Sequence, residues 1–163
     1  MRTLHLLRHA KSDWEDKALT DHERPLAPRG EKAARQLAKH LQESPIDVDL
    51  VLCSTARRTR ETLELIRPAL GDVSVKFDED LYAASTDKLL ARLHRVPAKV
   101  GAVMLIGHNP GMEELAWLLL GPGRAPGHFP TAALASMSFA TDDWSSIREG
   151  GAKPTGFITP KEL

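Results

Sequence analysis

Several short runs in this chain are apolar at nearly every position, and no other feature constrains the fold as strongly. Leu4–Leu7, "VDLVLC" at Val48–Cys53, "VGAVMLIG" at Val100–Gly107 and "LASMSFA" at Leu134–Ala140 are of this kind. A strand that is apolar on both faces must be covered on both faces, which is the situation of a parallel sheet sandwiched between helices. A further run, "VSVKF" at Val73–Phe77, alternates and is expected nearer a sheet edge. Helical patterns separate the runs. Pro28 suits the first turn of a helix carrying Ala34, Leu37, Ala38 and Leu41, which Ser44-Pro45 ends. Leu63, Ile66 and Leu70 mark a second helix stopped by Gly71, and Thr86 to Leu93 a third. Pro110 opens a fourth, with Met112, Leu115, Ala116 and Leu119 on one face and Gly121-Pro122 as terminator. Strands alternating with helices predict one α/β domain over residues 1–163. Its expected form is a three-layer α/β/α sandwich with a mostly parallel central sheet and right-handed crossovers. After Asp142, "DDWSSI" allows a strand and "EGGAKPTG" reads as a loop, while Trp117 and Leu118–Leu120 are expected in the core.

The charge balance removes several classes of partner. Twenty-two basic and 22 acidic residues cancel, so no global field draws the chain to nucleic acid, a membrane surface or a polyanion. Any affinity for an anion must come from a local pocket. Cys53 is the sole cysteine, which excludes an intrachain disulfide and suits a reducing compartment. Arg8, His9 and Lys11 interrupt the first apolar stretch too early for a signal peptide, and "LAWLLLG" is too short to span a bilayer. A cytoplasmic location is the expectation.

Polar residues stand where three of these runs end. "LHLLRHAKSDW" closes a strand on Arg8-His9, "CSTARRTRET" follows the second run, and "GHNPG" follows the fourth. In open α/β sheets ligands bind at the carboxyl ends of the strands. If these strands are neighbours, two histidines and at least two arginines share one pocket. Guanidinium is always charged and its planar fork matches phosphate oxygens two at a time. Neutral imidazole, with an ordinary pKa of about 6.5, is a competent nucleophile near neutral pH. Such a pocket can take a phosphoryl group onto histidine for water to clear, the arginines neutralising its oxygens and the second histidine donating a hydrogen bond.

Competing chemistries fail on spacing. A cysteine phosphatase loop starting at Cys53 needs arginine at the position Thr59 occupies, and Arg58 and Arg60 miss it on either side. "GHNPG" lacks the Gly and Lys-Ser/Thr spacing of a P-loop. His5 and His9 share a side of one strand, yet Arg8 would repel a metal cation and no nearby carboxylate has ligand spacing. No metal and no cofactor are expected. The arginines of "RRTR" read as a solvated helix face rather than a nucleic-acid site. His5 reads as a hydrogen-bonded strand residue, and His22, His40, His94 and His128 as surface residues.

"LLRHAKS" resembles the Arg-His-Gly signature of the histidine phosphatase superfamily, the phosphoglycerate-mutase-like fold. "CSTARRTRET" is similar to its Ser-to-Arg motif, which falls on Ser54 and Arg58, and "IGHNPGMEEL" to the segment of its second histidine, His108. "RPLAPRG" and "FPTAAL" narrow the resemblance to the small SixA-type phosphohistidine phosphatases, and it covers nearly the whole chain. It implies His9 as nucleophile, with Arg8, Arg58 and His108 completing a phosphate pocket to which Ser12 adds a polar contact. Ala10 departs from the usual Gly, and Thr55 from the usual Pro. The short chain leaves no room for the capping insertions of larger relatives. The implied substrate is therefore a phosphorylated protein, such as the histidine phosphotransfer domain of a signalling relay. The alternatives are a small phosphate ester or a silent phosphoprotein-binding module. Relatives that cleave alcohol phosphates use a carboxylic acid as proton donor, and Glu79 and Asp80 of "FDEDLYAAS" are the candidates here.

Overall fold

The computed structural model describes all residues, Met1–Leu163. Six strands form one mixed sheet. They are β1 (Arg2–Arg8), β2 (Leu50–Ser54), β3 (Ser74–Asp78), β4 (Ala102–Gly107), β5 (Leu134–Phe139) and β6 (Ala152–Ile158), in the spatial order β3-β2-β4-β1-β5-β6. The pairs β3-β2, β2-β4 and β4-β1 are parallel, whereas β5 runs antiparallel to both β1 and β6. The helices are α1 (Pro28–Glu43), α2 (Arg57–Ile66), α3 (Thr86–His94) and α4 (Gly111–Leu120).

The doubly apolar strands divide their side chains between two cores. Leu4, Leu6, Leu50, Leu52, Val103 and Leu105 pack with Leu89 and Leu93 of α3 and Met112, Leu115 and Leu119 of α4. On the opposite face Leu7, Val51, Cys53, Met104 and Ile106 meet Leu37 and Leu41 of α1 and Leu63 and Ile66 of α2. The alternation places α1 and α2 on one side of the sheet and α3 and α4 on the other, the expected three layers. β3, with exposed positions along its length, is an edge strand as its pattern predicted.

Three expectations of the C-terminal half need correction. "DDWSSI" is not a strand but a single 3-10 turn at Trp144–Ser146, because Asp143 accepts the Ser145 N–H with its side chain and favours a turn. Trp144 is fully buried there and donates its indole N–H to the Val100 carbonyl. "EGGAKPTG" is not all loop: from Ala152 it enters edge strand β6, whose mostly exposed residues carry no periodic signal. Pro154 is tolerated beside the register shift at Ser136/Met137, where an edge strand needs no donor. Trp117 is 53% exposed and lies outside the core, because it falls on the solvent side of α4 while Ala116, Leu119 and Leu120 face inward.

Candidate active site

Strand order β2-β4-β1 makes neighbours of the three polar strand ends. The register pairs Arg8 with Gly107 and Cys53 with Ile106, so Arg8-His9, His108 and Ser54 emerge side by side. Arg58 joins them from the first turn of α2. His9, Arg58 and His108 are buried, and Arg8 is half-buried. The imidazole rings of His9 and His108 lie 5.2 Å apart between centroids.

The hydrogen bonds of His9 determine which of its nitrogens is free. Its Nδ1 lies 2.7 Å from the carbonyl oxygen of Ala10, an acceptor only, so Nδ1 carries the proton and Nε2 keeps a lone pair. The backbone at Ala10 is tied down on its other side, where its N–H donates to Thr62 Oγ1, which donates to the carbonyl of Arg58. Ala10 has no left-handed backbone, and its Cβ fits in a small cluster with Leu26, Ala34 and Ala132. The replacement of Gly is accommodated there.

Electrostatics keep both rings neutral. Burial, followed by the charges of Arg58, Arg8 and Arg24, lowers the His9 pKa to about 4 against the opposing pull of the Ala10 carbonyl. Burial, then His9 and Arg58, lowers His108 to about 3. The Cys53 thiol, buried in the core at the end of β2, is pushed up to about 12 by burial and cannot serve as a thiolate.

A cavity of about 260 Å³ opens in front of His9, with Arg8, Arg24, Arg58 and Lys11 in its wall and Asp21 as its one carboxylate. That excess of cations suits an anion and repels a metal ion. Arg58 donates from two nitrogens to Asp21, to its carbonyl at 2.8 Å and to Oδ2 at 3.1 Å. Arg8 donates to the Phe129 carbonyl, and its Nε is buried without a partner. Ser12 lines the cavity, with its Oγ accepting from Arg24 at 2.7 Å. Arg24 has both a site-facing and a structural position. It faces the cavity, yet its three nitrogens are engaged by Asp13, Asp21 and Ser12, and it stacks on Trp14. Trp14 itself is 70% exposed at the rim.

Glu79 and Asp80 are exposed on the 3-10 turn Glu79–Leu81, and neither lines the cavity. Their segment reaches the site through Tyr82, whose ring meets His108 edge-on and whose hydroxyl donates to Asp21 Oδ2. That hydroxyl, with Arg58 and Arg24, holds the Asp21 carboxyl below its ordinary range despite the opposing effect of burial. His22 is not a plain surface residue, since it bonds Thr55 Oγ1 at 3.0 Å and packs against Tyr82. His5, as expected, is a bonded strand residue, held by Ser136 and the Asp47 carbonyl. Sequence reasoning missed Asp21, Tyr82 and Trp14. Asp21 stands three residues before Arg24 in "DHERPLAPRG", and Tyr82 is the only tyrosine in the chain, so both had a faint signal.

Known proteins resemble this chain in sequence and in fold. A sequence model of the histidine phosphatase superfamily (branch 1) matches residues 4–96. An uncharacterised protein of Mycobacterium tuberculosis is 34% identical over 163 residues, covering 95% of this chain and 100% of the relative. An uncharacterised chloroplastic protein of Arabidopsis thaliana is 33% identical over 173 residues, covering 98% of this chain and 78% of the relative. Among solved structures, a SixA protein of Nakamurella multipartitia superposes with a TM-score of 0.85 at 31% identity, covering 98% of this chain and 96% of that one. The protein histidine phosphatase SixA complexed with tungstate gives a TM-score of 0.81 at 25% identity, with 98% of each chain covered.

Proposed function

Because the chain belongs to the histidine phosphatase superfamily (branch 1), we propose that it is a phosphatase acting through a phosphohistidine on His9, and that its substrate is phosphohistidine on a protein. The observation that carries this reading is the free Nε2 of a neutral His9 facing a cation-walled cavity. In the first step Nε2 attacks phosphorus in line, a P–N bond to His9 forms, and the bond to the substrate imidazole breaks. Arg8 and Arg58 neutralise the equatorial oxygens, and His108 donates to one of them. In the second step water attacks, the bond to His9 breaks, and inorganic phosphate leaves with His9 regenerated.

The acid inventory supports the choice of substrate. An alkoxide leaving group gains about 10²–10⁴-fold from a positioned general acid. The one carboxyl in the cavity wall, Asp21, is held ionised by Tyr82 and the arginines and is a poor acid. Imidazole, with an ordinary pKa of about 6.5, leaves protonated by solvent and needs little such help. The cavity is small, its rim Trp14 is exposed, and the likeness to the SixA structures extends along the whole chain. These features suit a phosphate presented on another protein's surface. No helix of this chain is long and apolar enough to cross a membrane.

A substrate panel tests the proposal. The purified protein is expected to turn over a phosphohistidine protein with far higher kcat/KM than a phosphoserine peptide or a sugar phosphate. Preference for a sugar phosphate would replace the substrate, and no turnover of any phosphate compound would remove the phosphatase reading. Activity is expected to survive dialysis against EDTA, and phosphate, vanadate and tungstate are expected to compete with substrate.

A further inference from the structure

The Ser54 side chain is fully buried at the end of β2 and takes part in two contacts. Its Oγ accepts the Ala56 N–H at 3.3 Å and lies 2.8 Å from Nε2 of His108. A serine hydroxyl has one proton to donate, and a buried donor left without an acceptor is costly. The two tautomers of His108 meet that requirement differently. With the proton on Nε2, Oγ would receive two N–H groups while its own O–H pointed at nothing. Nδ1 would then hold a bare lone pair. With the proton on Nδ1, the Ser54 O–H donates to Nε2 and both groups at that contact are paired.

The other nitrogen is then a donor. His108 Nδ1 is buried without a partner, on a ring packed beside His9. We infer that Ser54 is a positioning residue: its hydroxyl donates to His108 Nε2, fixes the Nδ1–H tautomer, and so gives His108 the proton it offers to the phosphoryl group. The last clause rests on the phosphatase reading, whereas the tautomer does not. The contact is built into the sheet. β2 and β4 are neighbours, with Cys53 paired to Ile106, so Ser54 and His108 follow the paired positions on adjacent strand ends. The Ser54 carbonyl accepts the Thr59 hydroxyl at 2.7 Å, which holds the residue at the head of α2. The Ser-x-x-x-Arg spacing thus places two functions within one turn: Ser54 sets a histidine, and Arg58 binds the anion. The neutrality on which a tautomer depends comes from burial of His108 and its cationic surroundings.

Long-range nitrogen–proton NMR on the full chain with ¹⁵N-labelled histidine tests this directly, His108 being assigned by its loss in His108→Asn. The wild type is expected to show a protonated Nδ1 and a bare Nε2. Ser54→Ala is expected to shift population toward Nε2–H and to lower kcat on an aryl phosphate by about 10- to 100-fold, with little change in KM. Ser54→Thr, which keeps the hydroxyl, is expected to restore the tautomer and most of the rate. A wild-type His108 protonated on Nε2 overturns the inference whether or not the variants fold. So does a folded Ser54→Ala that keeps both the Nδ1–H tautomer and full kcat. A chain that turns over no phosphate compound, yet has Nδ1–H on His108 and loses it in Ser54→Ala, would end the phosphatase reading while the role of Ser54 in setting the tautomer stood.

Discussion

Burial and three arginines act on His9 in the same direction, and the Ala10 carbonyl alone opposes them. The ring therefore stays neutral to well below pH 7, with its proton on Nδ1 and its lone pair on Nε2. His9→Ala is expected to abolish turnover, and acid-quench labelling to trap an acid-labile, alkali-stable phosphate on His9. Label on Ser54 or Cys53 would overturn the assignment. Arg58 already places two nitrogens on one acidic residue, Asp21, so its fork is set for two-point contact. Arg58→Lys offers a point charge instead and is expected to lower kcat/KM by about 10²-fold or more, and near-wild-type rates would exclude Arg58 from the phosphate. Glu79 and Asp80, exposed and outside the cavity wall, are expected to matter little for phosphohistidine. Glu79→Gln and Asp80→Asn should each leave its hydrolysis nearly unchanged. A large loss in either would mean that the hydrolysis needs an acid and would favour a phosphomonoester as substrate.

At the scale of elements, the site depends on how closely α1 approaches the loop after β1. A Cβ added to Gly30, in the first turn of α1, would stand 2.1 Å from the carbonyl oxygen of Lys11. That oxygen accepts the Ala27 N–H at 2.9 Å, so helix and loop are tied as well as close. Because the obstruction is backbone, Gly30→Ala must displace the segment carrying Lys11 and Ser12. It is expected to cost about 1–3 kcal/mol of stability in urea unfolding and to reduce kcat/KM as well. A variant as stable and as active as wild type would contradict the close approach. Gly111, at the start of α4, is a second such position: its added Cβ would lie 2.6 Å from the Ala84 carbonyl oxygen, below the segment that brings Tyr82 to His108.

For the whole molecule, two buried neutral histidines link the site to acid stability. Unfolded, each titrates near 6.5. Folded, His9 titrates at about 4 and His108 at about 3. Between those values the unfolded chain binds more protons, so stability is complete above about pH 6.5 and is lost as pH falls toward 4 and then 3. Each histidine contributes a slope of about 1.4 kcal/mol per pH unit inside its window. His5, also lowered mainly by burial, adds in the same direction. Urea unfolding between about pH 6 and pH 4.5 is expected to show this slope, and His9→Asn to reduce it by about one histidine's share. A slope unchanged in His9→Asn would mean that His9 is not held neutral.

The sequence by itself determined the layers and pointed to the residues of the candidate site. Strands apolar at every position, such as Leu50–Cys53 and Val103–Ile106, have one solution in water, burial on both faces, and this fixed the helices on either side. Arg8-His9, Arg58 and His108 were legible because a charge or imidazole directly after a buried strand interrupts a pattern that has no other use for it. Edge strand β6 was not legible, since a strand with little to bury leaves no periodic trace. Asp21 and Tyr82 were only faintly legible and Trp14 was not, since all three lie outside the strands and α-helices, where no periodic pattern marks a residue. Only the tertiary structure brought Tyr82 onto Asp21 across 61 positions and Ser54 onto His108 across 54. Hydrogen bonds of that kind depend on strand order and register, and these are set by the packing of the whole sheet, which no local window of sequence contains.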